Sequence, residues 1–152
     1  YNPDILLKVK ERFVSNKNLN YERIYISRQK AEKRKLTNEE EIIPVLKQYN
    51  FHILCFEQLT LEQQIDYMQN CKILVSMHGA GLTNMLFVKN KAKIFELLPK
   101  EQIIDKCYYI LAKVLNHDYF YQFCETDNNS HIIANFTVDI EKFKSNLKMI
   151  CQ

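Results

Sequence analysis

Two hydrophobic periodicities alternate along this chain. Five short runs rich in β-branched and aromatic residues read as strands: RIYIS (23–27), FHILCFE (51–57), KILVSM (72–77), KIFELL (93–98) and DYFYQFCE (118–125). Between them lie stretches with helical spacing. In 61–70, Leu61, Ile65 and Met68 share one face, and Thr60 followed by Gln63 predicts a capping box. In 102–116, Ile103, Ile104, Cys107, Ile110, Leu111, Val114 and Leu115 form a broad apolar face, and 139–150 repeats the pattern with Ile140, Phe143, Leu147 and Ile150. Helices at 4–15 and 39–49 complete the set; Pro44 must kink the second or mark its first turn.

Strands alternating with helices predict an α/β fold, a Rossmann-like or flavodoxin-like doubly wound parallel sheet of about five strands. In such sheets ligands bind beyond the carboxyl ends of the strands, where the strand order switches. The residues just after each strand are therefore the ones to question.

After the first strand comes RQKAEKRK, where Arg28, Lys30, Lys33, Arg34 and Lys35 crowd five positive charges into eight residues. The lysines suit a solvated loop. The chain has only four arginines, and two of them are here. Arginine suits bidentate contact with phosphate or carboxylate, so Arg28 and Arg34 suggest an anion site. After the third strand comes HGAGLTN, which contains the only two glycines of the 152 residues, Gly79 and Gly81. Asparagines stand where turns elsewhere would use glycine: Asn50, Asn90 and Asn116 each follow an apolar segment and suit a left-handed residue. The two glycines then mark places where a Cβ would collide, either with a ligand brought close to the main chain at a helix start or with a neighbouring element in a packing turn. His78, Thr83 and Asn84 are placed to donate to an anion there or merely to cap. It is not the dinucleotide fingerprint, because Asn84 stands where the third glycine would be. In the fourth strand Glu96 sits inside an apolar run, and burying it requires partners. At a strand end it could accept hydrogen bonds from ribose hydroxyls.

Composition narrows the classes. With 47% hydrophobic residues the chain can bury a core, and a net charge of +3 does not demand a nucleic-acid partner. No apolar run reaches the length of a membrane span. Five cysteines, an odd number without CxxC spacing, read as reduced and mostly buried, and no Cys/His spacing suggests a metal site. Reduced thiols set the expectation of a cytoplasmic protein, although sequons at Asn128 and Asn135 would permit a secretory lumen. The chain begins on Tyr1 rather than Met, with no secretory leader, which suggests a piece of a longer protein.

In order, YISR, the basic residues before NEEE, EQLTLEQQI, HGAGLTN, MLF and IFELLP resemble the C-terminal half of glycosyltransferase family 61, over about residues 21–99. The resemblance implies one half of a GT-B fold, residues 1–152 forming a single nucleotide-sugar-binding domain. It implies inverting transfer to a glycan or protein hydroxyl with neither metal nor cofactor. Arg28 and Arg34 would face the diphosphate, with Arg28 and His78 stabilising the leaving group. His78, Gly79, Ala80, Gly81, Leu82, Thr83 and Asn84 would line the phosphate and sugar, Glu96 would hold the ribose, and Gln64 would touch or orient the loop beside the base. The general base would belong to a missing N-terminal domain. The chain departs from the family pattern at VKNK (88–91), Asn50 and Ser76–Met77, where Met77 could narrow the sugar pocket. Three other readings share parts of this pattern. A receiver domain needs acidic residues where Arg28 and His78 stand. A noncatalytic nucleotide-sugar-binding or scaffolding module would bind without transfer. A nucleic-acid-binding domain has no role for Glu96 or the Gly-Ala-Gly turn.

Overall fold

The computed structural model describes residues 1–13, 17, 19–100, 106–128 and 133–152. Positions 14–15 and 102–105 of two expected helices, and His131, lie outside the described residues. The elements run α1 (Pro3–Arg12), β1 (Arg23–Ser27), α2 (Glu39–Gln48), β2 (His52–Cys55), α3 (Leu61–Met68), β3 (Ile73–Met77), β4 (Lys93–Pro99), α4 (Cys107–Val114), β5 (Asp118–Thr126), β6 (Phe136–Thr137) and α5 (Ile140–Ile150). Two 3-10 segments, Phe56–Gln58 and Ala80–Leu86, follow β2 and β3.

The sheet order is β2-β1-β3-β4-β5-β6, parallel throughout except for β6, which runs antiparallel to β5. Six strands replace the expected five. The sixth is two residues long, too short to show an alternating pattern in the sequence. The order reverses between β1 and β3, because the chain steps outward from β1 to β2 and then returns past β1 to β3. That reversal opens a crevice at the carboxyl ends of β1 and β3.

Period-two alternation sends successive side chains to opposite faces, and helices cover both. Tyr25, Val75, Met77, Phe95 and Leu97 pack beneath α2 and α5, with Phe95 stacked on Phe143 at 5.8 Å between ring centroids. Ile24, Ile26, Leu74 and Ile94 pack beneath α3, α4 and the 80–86 segment. Met77 is thus a core residue under α2 and α5 rather than a wall of a sugar pocket.

Local signals account for most boundaries. Thr60 and Gln63 form the reciprocal capping box, with bonds of 3.3 and 2.9 Å. Asp139 accepts from the Lys142 amide at 3.1 Å and starts α5. Pro44 is neither in the first turn nor a terminator; α2 continues past it, and the carbonyl that loses a donor belongs to solvent-exposed Glu40. Asn50 and Asn116 take left-handed conformations (φ 57° and 58°), whereas the third such position falls on Lys91 rather than Asn90. In α4 the apolar face is narrower than expected: Leu111 and Ala112 are buried, while Ile110 is 45% exposed. Among the described residues, no helix is long and apolar enough to cross a membrane.

Candidate functional site

A cleft of about 680 Å³ opens at the β1–β3 reversal, lined by Ile26, Arg28 and Ala31–Arg34 beyond β1, Phe56 and Glu57 beyond β2, Gln64 of α3, and Gly79–Gly81 and Asn84 beyond β3. Seven of the residues singled out in the sequence meet here: Arg28, Arg34, Gln64, Gly79, Ala80, Gly81 and Asn84.

Main-chain carbonyls hold both arginines. Arg28 Nε donates to the Arg34 carbonyl at 2.9 Å and Nη2 to the Lys33 carbonyl at 3.2 Å. Arg34 Nη1 donates to the His78 carbonyl at 3.3 Å. Glu57 Oε1 stands 4.0 Å from Arg28 Nη1, a loose ion pair. Partial burial, and then the adjacent Arg28 charge, pull the Arg34 guanidinium below its ordinary value. Two guanidiniums brought together at one edge of a cleft raise the local positive potential, which suits an anion.

Arg34 itself adopts φ 59°, unusual for a residue with a Cβ. A ladder to the far end of the chain holds that loop. The Phe136 amide donates to the Lys35 carbonyl at 2.9 Å, and the Thr37 amide to the Phe136 carbonyl at 2.8 Å. The Asn38 side chain bonds both the carbonyl and the amide of Val138, at 2.9 and 3.0 Å.

A Cβ at either glycine would meet its neighbours in the chain at ordinary contact distance, so the expected collision within the chain is absent, and the two differ in backbone conformation instead. Gly79, at φ 156° and ψ 175°, occupies backbone space essentially reserved for glycine. A Cβ there would sit 3.6 Å from Arg28 Nη1 and 3.8 Å from Arg34 Nη1, so both guanidiniums converge on its bare Cα. Gly81 is a packing glycine: a Cβ would rest at ordinary contact, 3.4 Å from Ile26 Cγ2, and does not collide. The segment it opens is a 3-10 turn rather than an α-helix, and its leading N–H groups have no partner within the turn.

Leu82, Thr83, His78 and Glu96 do not line the cleft. Leu82 is fully buried in the core. Thr83 hydrogen-bonds the Tyr108 phenol, which burial pushes up to about 12. Gln64 and Asn84 brace the wall: Gln64 Nε2 donates to the Phe56 and Leu59 carbonyls, and its Oε1 accepts from Asn84 Nδ2 at 3.2 Å. Glu96 neither faces solvent nor reaches the cleft. It is 1% exposed, and both carboxylate oxygens are engaged, Oε1 with His78 Nδ1 at 2.6 Å and Oε2 with the Tyr119 hydroxyl at 2.5 Å. The His78 ring therefore turns toward β4, against the edge of Tyr108 at 5.2 Å, while its carbonyl stays with Arg34. Tyr108 and Tyr119 were missed by the sequence reading. Only their position on α4 and β5, the neighbours of β4, could have pointed to them.

The family model of Glycosyltransferase 61 matches residues 1–95. Among curated proteins the chain is similar to EGF domain-specific O-linked N-acetylglucosamine transferases. It is 38% identical over 93 residues to that of Drosophila melanogaster, covering 59% of this chain and 17% of the relative. It is 33% identical over 97 residues to that of Mus musculus (60% and 18%), and 31% over 107 residues to that of Xenopus laevis (64% and 19%). The chain thus spans less than a fifth of the length of these relatives.

Proposed function

Because the chain belongs to glycosyltransferase family 61, we propose that it is the donor-binding part of a glycosyltransferase, moving a sugar from a nucleoside diphosphate to a hydroxyl with inversion. The observation that carries this is the convergence of Arg28 and Arg34 on the bare Cα of Gly79, in the crevice where the strand order reverses. In this reading the diphosphate lies between the two guanidiniums and the leading N–H groups of the Gly79–Gly81 turn. Fixed donors aimed at the departing diphosphate favour the transition state, where negative charge grows on the leaving oxygen. Both arginines are already tethered by carbonyls, so little reorganisation accompanies the reaction. Phe56 and Ile26 offer apolar surface for the nucleoside, and Gln64 and Asn84 keep that wall in place.

The relatives' names support N-acetylglucosamine as the sugar and a hydroxyl of an EGF domain as the acceptor. The rest of the enzyme, on the side facing this cleft, would complete the acceptor site.

Calorimetric titration with UDP, GDP and CMP tests the reading. Saturable binding of one nucleotide, unchanged by chelator and weakened by Arg28→Ala and Arg34→Ala, is the expected result. Binding indifferent to both substitutions would move the donor elsewhere. Binding without transfer in the protein that carries this chain would leave a noncatalytic nucleotide-sugar module.

A further inference from the structure

Beside the arginine cleft, on the sheet face covered by α4 and the 80–86 segment, His78, Glu96 and Tyr119 form a hydrogen-bonded row across β3, β4 and β5. The donor reading gives this row no task. A carboxyl group that is 1% exposed needs hydrogen-bond partners, and Glu96 has two. Burial, and then the Glu96 charge, push the Tyr119 phenol well above its ordinary value, so its oxygen keeps the proton and donates it to Oε2. Oε1 is left to accept from His78, at 2.6 Å. The His78 proton is therefore on Nδ1, and in the neutral ring Nε2 carries a lone pair.

Neighbouring groups fix the ring. Its Nδ1 corner is anchored on the buried carboxylate, while 18% of the side chain remains exposed. Tyr108, bonded to Thr83, holds the ring from the side. The carbonyl of the same residue accepts from Arg34, so the anion cleft and the imidazole flank one residue. Among the described residues Nε2 has no hydrogen-bond partner.

Resting on the donor reading above, we propose that His78 Nε2 is the general base of the transfer and that Glu96 is a positioning residue acting through it. The acceptor oxygen attacks the anomeric carbon and its proton passes to Nε2. The bond from that carbon to the diphosphate oxygen breaks, and its electron pair leaves with the diphosphate between Arg28 and Arg34. The nucleophile is thereby activated from within this chain, not from another domain.

Two measurements test it. Nitrogen-15 NMR of the chain above neutral pH reads the His78 tautomer directly; the expected form is Nδ1–H, the less common one for histidine. The second uses His78→Asn in the protein that carries this chain. The asparagine amide reaches Glu96 as Nδ1–H does, but it has nothing in place of Nε2. The expected outcome is unchanged nucleotide affinity, a donor KM within about threefold, and kcat reduced on the order of a hundredfold or more. An Nε2–H tautomer, or His78→Asn retaining kcat, overturns the proposal while leaving the donor reading intact. Failure of wild type to bind any nucleoside diphosphate overturns the donor reading and the proposal with it.

Discussion

Arg28 Nε donates to the carbonyl of Arg34 at 2.9 Å, so one cleft arginine holds the backbone of the other. The pair is a unit: Arg28 fixes the left-handed turn from which Arg34 reaches the His78 carbonyl. Arg28→Ala should therefore weaken nucleotide binding more than Arg34→Ala does. Losing one charge-assisted contact costs about 1.5–3 kcal/mol, roughly tenfold to a hundredfold in Kd. Arg28→Lys restores the charge but not the planar fork that spans two carbonyls, and should rescue little. Calorimetry on the three variants orders them.

The two glycines should separate under substitution. Gly79→Ala forces a Cβ into a conformation costing about 1–3 kcal/mol and toward both guanidiniums, so stability and nucleotide binding should both fall. Gly81→Ala meets Ile26 at ordinary contact distance and should change stability by less than about 1 kcal/mol. Urea denaturation of the two variants decides, and equal losses would contradict the division.

Asn38 ties the arginine loop to the chain's last quarter through both of its amide atoms. Asn38→Ala removes two bonds and leaves the Val138 amide and carbonyl to find other partners, a loss of about 1–3 kcal/mol. Nucleotide affinity should fall as well, although Asn38 does not line the cleft. A variant that loses stability but binds normally would show that the loop does not depend on this anchor.

The Tyr25 hydroxyl donates to Oε1 of Glu39, the first residue of α2, at 2.5 Å, and both residues are buried. Burial, followed by the Glu39 charge, raises the phenol well above its usual range, so it stays a donor. Tyr25→Phe should destabilise by about 1–3 kcal/mol, since it strips a buried carboxylate of its partner. Adding Glu39→Gln should recover part of that loss, which chemical denaturation of the single and double variants would measure.

His117 is a structural histidine with both nitrogens used. Nδ1 accepts from the Ala92 amide at 3.2 Å, and Nε2 donates to the Met85 carbonyl at 3.1 Å. Burial pulls its pKa below the ordinary 6.5. Because the unfolded chain takes up the proton more readily, this contribution is intact above about pH 6.5 and is lost as pH falls below it. His117→Gln should flatten the dependence of stability on pH between about 7 and 5; an unchanged slope would assign it to other groups.

Alternation was enough to place five strands, a capping box to start α3 and apolar periodicity to place α5, because period two, period 3.6 and side-chain caps are local. The arginines and Gly79 were also legible, since each is rare in this chain and follows a strand. Beyond that, local pattern gave out. A two-residue β6 has no period to read, yet it is what pins the Arg34 loop across about a hundred positions. Gly79 and Gly81 look alike in sequence, and only backbone geometry and the neighbour each one faces tell them apart. Glu96 and His78 sit eighteen residues apart and Tyr119 lies further on; parallel strand register joins them. The amino-acid order therefore determined most of the elements and marked out the arginines and the glycine turn as candidates. The tertiary structure decided which of those residues meet, because long-range pairing across a parallel sheet depends on the order in which strands lie side by side, which no single segment encodes.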